Sequence, residues 1–415
     1  MNCGKKMLNI YRQGKTFTNQ FYVDEDYNVP DVKNDIREVI QGDAVLDEVE
    51  LKLVENYIRI TGRLNFQLLY VADNSDSTLS ALEGKIPFEE MYYVDEVPEE
   101  SLFLKAAQAE LTVNLIHSRK INIKAMVEIT ICSDSQMSEE VTTELEAGES
   151  LYTKYQERKI LTLHTVKKDT YRIKEQVTIT GTKESIGNIL WKEVLSRRLD
   201  TRLEADILKI QGELLVFCLY ESTEGKTDWI CENVPYEGQV ECYGAEEGMY
   251  HQMYPILTDA LLEPGLDEDG EMRLLGIEAT LSMRFFVCAE ENIQEWDDMY
   301  SLKKCCVPKY VQCQVENVLM QNHAKCKVAE RLSLPEIKDD ILQICYSDAR
   351  IQVEQLEVQN EGIQIEGILH IYFMYVKPDD QIPFAVWKGM IPFSWLLESN
   401  EVFADMIMDL VPSVE

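Results

Sequence analysis

The stretch Gly62-Arg-Leu-Asn-Phe-Gln-Leu-Leu-Tyr70 decides the fold, because the chain contains it three times. It returns as Gly212-Glu-Leu-Leu-Val-Phe-Cys-Leu-Tyr220 and Gly367-Ile-Leu-His-Ile-Tyr-Phe-Met-Tyr375, with the glycines 150 and 155 residues apart. Between glycine and tyrosine, Leu64/Phe66/Leu68, Leu214/Val216/Cys218 and Leu369/Ile371/Phe373 occupy alternate positions. Side chains of a strand alternate between its faces, so this period marks a strand with one buried face. Three tandem copies of one β-rich domain are expected. The length of 415 residues suits two to four domains of about 100 to 200 residues.

Further landmarks recur around the repeated strand. Upstream, Val29-Pro30 leads into Asp31-Val-Lys-Asn-Asp-Ile-Arg-Glu-Val-Ile40, and Leu334-Pro335 into a similar acidic run. Proline before acidic residues, with Ile36, Val39 and Ile40 at helical spacing, predicts a short amphipathic helix. The second copy has Lys183-Glu-Ser-Ile-Gly-Asn-Ile-Leu190 without the proline, yet Lys33, Lys183 and Lys338 each precede their glycine by 29 residues. Apolar alternation runs into each glycine, through Ile58 and Ile60, Leu208 and Ile210, or Ile363 and Ile365. A glycine between two such regular runs marks a bulge or a close backbone approach. After each tyrosine a polar turn is long enough to close a hairpin, and then comes Ile86-Pro87-Phe88, Val234-Pro235-Tyr236 or Ile391-Pro392-Phe393. Proline lacks the ladder donor, which places this strand at a sheet edge with the ring of Phe88, Tyr236 or Phe393 folded onto the core.

The first copy continues through Leu111–Ile116, a Ser118-Arg-Lys turn and Ile121-Asn-Ile-Lys-Ala-Met-Val-Glu-Ile-Thr-Ile131, the alternation of a half-buried hairpin. The second copy repeats it around Ile277-Glu-Ala-Thr-Leu281, with Asp267-Glu-Asp-Gly270 as its turn. No counterpart follows Phe393, so the third domain is expected to be incomplete, with an unpaired sheet edge and exposed apolar surface. The expected fold is mainly β with a short helix per repeat: three tandem antiparallel, sandwich-like domains. The expected boundaries are repeat 1 at 8–132, an acidic linker at 133–150, repeat 2 at 151–288, a second acidic linker at 289–298, and repeat 3 at 299–415.

Lys+Arg 40 against Asp+Glu 74 gives a net charge of −34, which disfavours nucleic acid and anionic membrane surfaces as partners. No stretch reaches the roughly 18 apolar residues of a spanning helix, and the first residues lack a signal-peptide core. Localisation in the cytosol of the producing cell is the expectation, with the eleven cysteines reduced. Gly225-Lys226-Thr227 and Gly14-Lys15-Thr16 resemble the end of a phosphate loop but lack its earlier glycine. Asp267–Glu271 has the wrong spacing for a calcium loop, and Cys305, Cys306 and Cys313 lack a zinc spacing. The five histidines fall at unrelated repeat positions. Neither catalytic, cofactor-binding nor metal-ligating residues are assigned. The residues that define the repeat are structural: Pro30, Gly62, Tyr70, Pro87 and Phe88; Gly212, Tyr220, Pro235 and Tyr236; Pro335, Gly367, Tyr375, Pro392 and Phe393.

Together these landmarks resemble the SPOCS domain, a β-rich module of spore-envelope proteins of Clostridia. The matching positions are Pro30/Asp31/Ile36, Gly62 to Tyr70 and Ile86 to Phe88, with their counterparts near 183, 212 and 235 and near 335, 367 and 391. The second copy departs most, lacking the proline and carrying Tyr236 for Phe. The resemblance implies a spore-coat scaffold made in the mother-cell cytoplasm and assembled onto the forespore. Its implied partners are coat morphogenetic proteins, the coat-basement ATPase among them. Members commonly end in a LysM domain, through which they bind peptidoglycan, and no LysM motif occurs here. A non-enzymatic scaffold or adaptor acting by multivalent contacts is therefore expected. The alternatives are a module of a phage-tail-like or surface assembly, and an unrecognised hydrolase with an inter-domain site.

Overall fold

A computed structural model describes residues 3–73, 79–95, 101–145, 151–303, 305, 307, 315–359, 362–379, 382–403 and 406–415. Cys306, Cys313, the tip of the first polar turn at 74–78 and residues 146–150 lie outside the described residues. The described chain is all β, with no helix among the described residues. Its strands form five three-stranded antiparallel sheets.

Each copy contributes one meander. In the first, β2 (Asp35–Val54), β3 (Tyr57–Asp73) and β4 (Leu79–Tyr93) pair in chain order, and β3, which contains the Gly62–Tyr70 stretch, is central. The second is β8 (Ile186–Glu204), β9 (Ile207–Ser222) and β10 (Thr227–Glu241); the third is β13 (Gln343–Gln359), β14 (Gly362–Val376) and β15 (Phe384–Glu398). The proline-bearing strands β4, β10 and β15 are edges, where a missing ladder donor costs least.

In the first two copies a second sheet lies over the meander. β1 (Cys3–Asn28), β6 (Lys120–Leu145) and β5 (Ser101–His117) form the first, in the order β1-β6-β5. β7 (Leu151–Thr178), β12 (Met272–Ser301) and β11 (Tyr250–Leu266) form the second, in the order β11-β12-β7. The alternating residues Ile121, Ile123, Ala125, Val127, Ile129 and Ile131 of β6 are fully buried against Leu64, Phe66, Leu68 and Tyr70 of β3 in one core. Leu275, Ile277, Leu281, Met283 and Phe285 of β12 meet Leu214, Val216, Cys218 and Tyr220 of β9 likewise.

The expected helices are not formed. Residues 30–33 make a turn, closed by Lys33 N–H donating to the Pro30 carbonyl at 2.9 Å, and β2 starts at Asp35. Pro335 likewise opens a run of turns, and β13 starts at Gln343. The reason lies in the register. Strand β2 shifts register between Ile36 and Glu38 and between Val39 and Gln41, and β8 does so at Ile186/Asn188 and Ile189/Trp191. Each bulge inserts an extra residue, so apolar positions fall three apart and imitate a helical period.

The expected acidic linkers are strand as well. Residues 133–145 continue β6 and 289–298 lie within β12, as arms extending beyond the sandwiches. Their acidic residues answer basic ones across the ladder: Arg158 pairs with Glu295 at 2.6 Å, and Lys5 with Glu140 at 2.8 Å. The two arms pack together through Leu8 and Ile10 of β1, Ile160 of β7 and Ile293 of β12.

Candidate functional site

The inner faces of the three meanders converge on one shared core. Leu69 of β3, Leu219 of β9 and Met374 of β14 pack there with Trp191, Phe217, Tyr346 and Phe384. Leu69, Leu219 and Met374 stand at the same 150- and 155-residue spacing as the glycines. The copies therefore surround a pseudo-threefold axis. Equivalent residues stack along it: Gln41, Trp191 and Tyr346 form one buried layer, and Phe217 stacks on Tyr346 with ring centroids 4.6 Å apart.

The adjacent layer is ionic. Asp43, Glu193 and Asp348 follow the same spacing, so all three copies bring a carboxylate to the axis. Two of them are matched by arginine. Arg350 of β13 donates through Nη2 to both Asp43 oxygens at 3.0 and 3.1 Å, tying the third copy to the first, and through Nη1 to the Ala109 carbonyl at 3.2 Å. Arg197 of β8 donates to Asp348 at 2.6 Å, tying the second copy to the third. Between first and second, the Gln67 amide donates to the Lys192 carbonyl at 2.7 Å, and Lys192 pairs with Glu83 at 2.8 Å.

Glu193 is the carboxyl left over. It is 6% exposed, and its recorded hydrogen-bond donor is the Trp191 indole at 3.2 Å. Burial first, and then the charges of Asp43 and Asp348, push its pKa well above the usual carboxylate range, while Arg350 and the indole oppose the rise. Its surroundings therefore favour the protonated, neutral form.

A second buried ion pair lies where the outer sheets meet. Asp134 of β6, 1% exposed, accepts from Arg284 of β12 and from the Tyr11 hydroxyl at 3.2 Å. Nearby, residues 406–415 return to the starts of β5 and β11. Tyr254 donates to Asp409 Oδ2 at 2.6 Å, and Lys105 pairs with the same carboxylate.

The repeat-defining residues are brought together in pairs. Gly62 is the cross-strand partner of Phe88, Gly212 of Tyr236, and Gly367 of Phe393. A Cβ on Gly62 would stand 2.7 Å from the Phe88 ring, and one on Gly212 would stand 2.6 Å from the Tyr236 hydroxyl. The glycine clears the space in which the aromatic of the Pro-aromatic landmark lies on the sheet. A bulge faces it on the neighbouring strand: Asp47 pairs with Arg63 and Glu50 with Thr61, and Glu48 takes a φ of 49°. Arg198, with a φ of 51°, is its counterpart in the second copy. Tyr70 and Tyr220 are fully buried, and their hydroxyls donate to the carbonyls of Asn34 and Glu184 at 3.1 and 3.3 Å, pinning the turn that precedes β2 or β8. Pro87, Pro235 and Pro392 pair with Arg63, Glu213 and Ile368. None of these residues reaches the axial carboxylates, which sequence reasoning missed. Aligning the copies at the glycine spacing places 43, 193 and 348 in one column, and that was the available signal.

A recess of about 310 Å³ lies between the first and third copies. Its lining is aliphatic apart from Gln41 and Lys388. Among the described residues, no group of three or more His, Cys, Asp or Glu side chains is disposed to hold a metal ion. No helix among the described residues is long and apolar enough to cross a membrane.

With this geometry in hand, residues 35–119 and 340–415 match the family model described as SipL, SPOCS domain. Two stretches of the chain are thus similar to the SPOCS domain. The two matched stretches hold the first and third meanders, and the second copy is tied to them by its equivalent register and shared core. Among curated proteins and solved structures, none matches the chain. The match points to a sporulation-related protein.

Proposed function

We propose that this protein is a non-enzymatic scaffold of the bacterial spore envelope, made in the mother-cell cytoplasm and assembled onto the forespore. Its partners in this reading are coat morphogenetic proteins, the coat-basement ATPase among them. The observation that carries the proposal is the shared axial core, which turns three copies of one meander into a single body rather than beads on a string. A body of this kind holds several surfaces at fixed mutual distances, so weak contacts on a layered assembly reinforce one another. Its edge strands β4, β10 and β15 are paired on one side only and are suited to strand addition.

The test is the position of a fluorescently tagged chain in sporulating cells. The expected result is a shell around the forespore that appears only after sporulation begins. A signal spread through the mother cell, or expression during vegetative growth, would refute the proposal. Deleting a whole repeat is the wrong perturbation, because the remaining two would lose part of their common core. Charge reversal at the exposed Glu89 of edge strand β4 alters a surface and leaves the axis intact.

A further inference from the structure

The pseudo-threefold arrangement gives each joint between copies the same two positions, and the sequence fills them differently. At the joint of the first and second copies they hold Glu83 and Lys192, an ion pair at 2.8 Å. Register fixes the equivalents: Glu83, Cys231 and Lys388 are the edge-strand partners of Gln67, Phe217 and Tyr372, which follow the 150- and 155-residue spacing. Lys192 corresponds likewise to Gly42 and Ser347. The joint of the third and first copies therefore brings Lys388 to Gly42, which has no side chain to answer it. The preceding position is also smaller there, Gln41 standing where the other copies carry Trp191 and Tyr346. The recess of about 310 Å³ opens at these two smaller residues, on the axial side of the third meander. A larger residue at 42 is blocked, since a Cβ on Gly42 would stand 2.9 Å from Leu68 and 3.1 Å from Val113. Ile40, Leu111, Val113 and Val386 wall the recess, and Gln41 and Lys388 are its polar side chains. Gln41 is 6% exposed, and among the described residues neither its amide nor the Lys388 ammonium has a hydrogen-bond or ion-pair partner. On a chain of net charge −34 an unanswered cation stands apart.

We propose that this recess binds a small aliphatic monocarboxylate of medium chain length. Its volume lies at the lower end of the roughly 300 to 1,000 Å³ of small-molecule sites, which favour junctions between domains and an apolar lining with a few polar groups. The walls are aliphatic and contain no aromatic ring, which suits an alkyl chain and offers a nucleobase no stacking platform. One lysine matches one negative charge. A phosphate dianion would bring excess charge close to Asp43, the residue after Gly42, whose own charge Arg350 already answers. The bound carboxylate pairs with Lys388 as Glu83 pairs with Lys192 at the equivalent joint, the alkyl chain covers the walls, and the Gln41 amide supplies a hydrogen-bond donor. Such a ligand ties the third copy to the first. The site goes beyond the scaffold reading and stands whether or not the chain is assembled onto a forespore.

Ligand-observed NMR on the full chain with octanoate, kept below its micelle concentration, tests it. The expected result is saturable binding at a single site, with octylamine failing to compete and butyrate at least about tenfold weaker, because its shorter chain buries less apolar surface. Lys388→Glu, which gives the third copy the residue that the first carries at 83, should weaken octanoate at least about tenfold. It should leave the thermal unfolding temperature unchanged, since the side chain is exposed. Val386→Phe should fill the recess and abolish binding. Should that variant disturb the shared core, Lys388→Glu still decides. The proposal is overturned by the absence of saturable octanoate binding, by equal affinity for octylamine, or by a Lys388→Glu variant that binds octanoate as the parent does. A short peptide with a C-terminal leucine that binds where octanoate does not would assign the recess to a protein partner and overturn it as well.

Discussion

Replacing Glu193 by glutamine should stabilise the protein, and the gain should grow with pH. The side chain lies at the axis, 6% exposed, with Asp43 and Asp348 as equivalent neighbours and both arginines already engaged by those two. Its folded pKa is raised well above the ordinary 4.5, chiefly by burial. Below that ordinary value both the folded and the unfolded chain carry the proton, and the contribution is flat. Above it the unfolded chain loses the proton while the folded chain keeps it, so folding takes up one proton and stability falls as pH rises. The slope is about 1.4 kcal/mol per pH unit, continuing until the folded group itself ionises. Glutamine keeps an acceptor for the Trp191 indole, holds nearly the same volume and does not titrate. Urea unfolding of both proteins at a series of pH values isolates the effect, because the other acidic groups cancel in the difference. A difference that does not change with pH, or a glutamine variant less stable than the parent throughout, would refute the account of the axis.

Other perturbations address separate parts of the body. Arg350→Met should cost about 3 to 5 kcal/mol by leaving Asp43 without its partner at a joint between copies, and Arg350→Met/Asp43→Leu should recover much of it, as measured by urea midpoints. Gly62→Ala should cost about 1 to 3 kcal/mol through collision with the Phe88 ring, and Phe88→Leu should make the alanine better tolerated. In the native protein Cys218, Cys288 and Cys345, whose burial pushes their thiols up to about 12, should resist alkylation near pH 8. The exposed Cys305 and Cys326 should react, and mass spectrometry of the labelled peptides separates the two groups.

Much of each copy was legible in the sequence because it is local. The Gly-to-Tyr strand, the edge proline and the hairpin at Ser118-Arg-Lys are short-range patterns, and alternation of apolar residues reports which face is buried without reference to distant parts of the chain. The helix expectation failed at Ile36, Val39 and Ile40 because two bulges reset the period within a few residues. The linker expectation failed at 133–145 and 289–298 because acidity was read as solvation. Those residues face basic partners across a ladder, more than a hundred positions away in the chain for Lys5 and Glu140.

The sequence by itself determined that one strand-rich unit occurs three times and which of its faces is apolar, since composition and period act residue by residue. Only the tertiary structure decided that the three units share a core and that Asp43, Glu193 and Asp348 meet on its axis. Those outcomes depend on which surfaces meet after the strands have formed. The burial of a charge or an apolar face is a property of that meeting, and no single segment carries it.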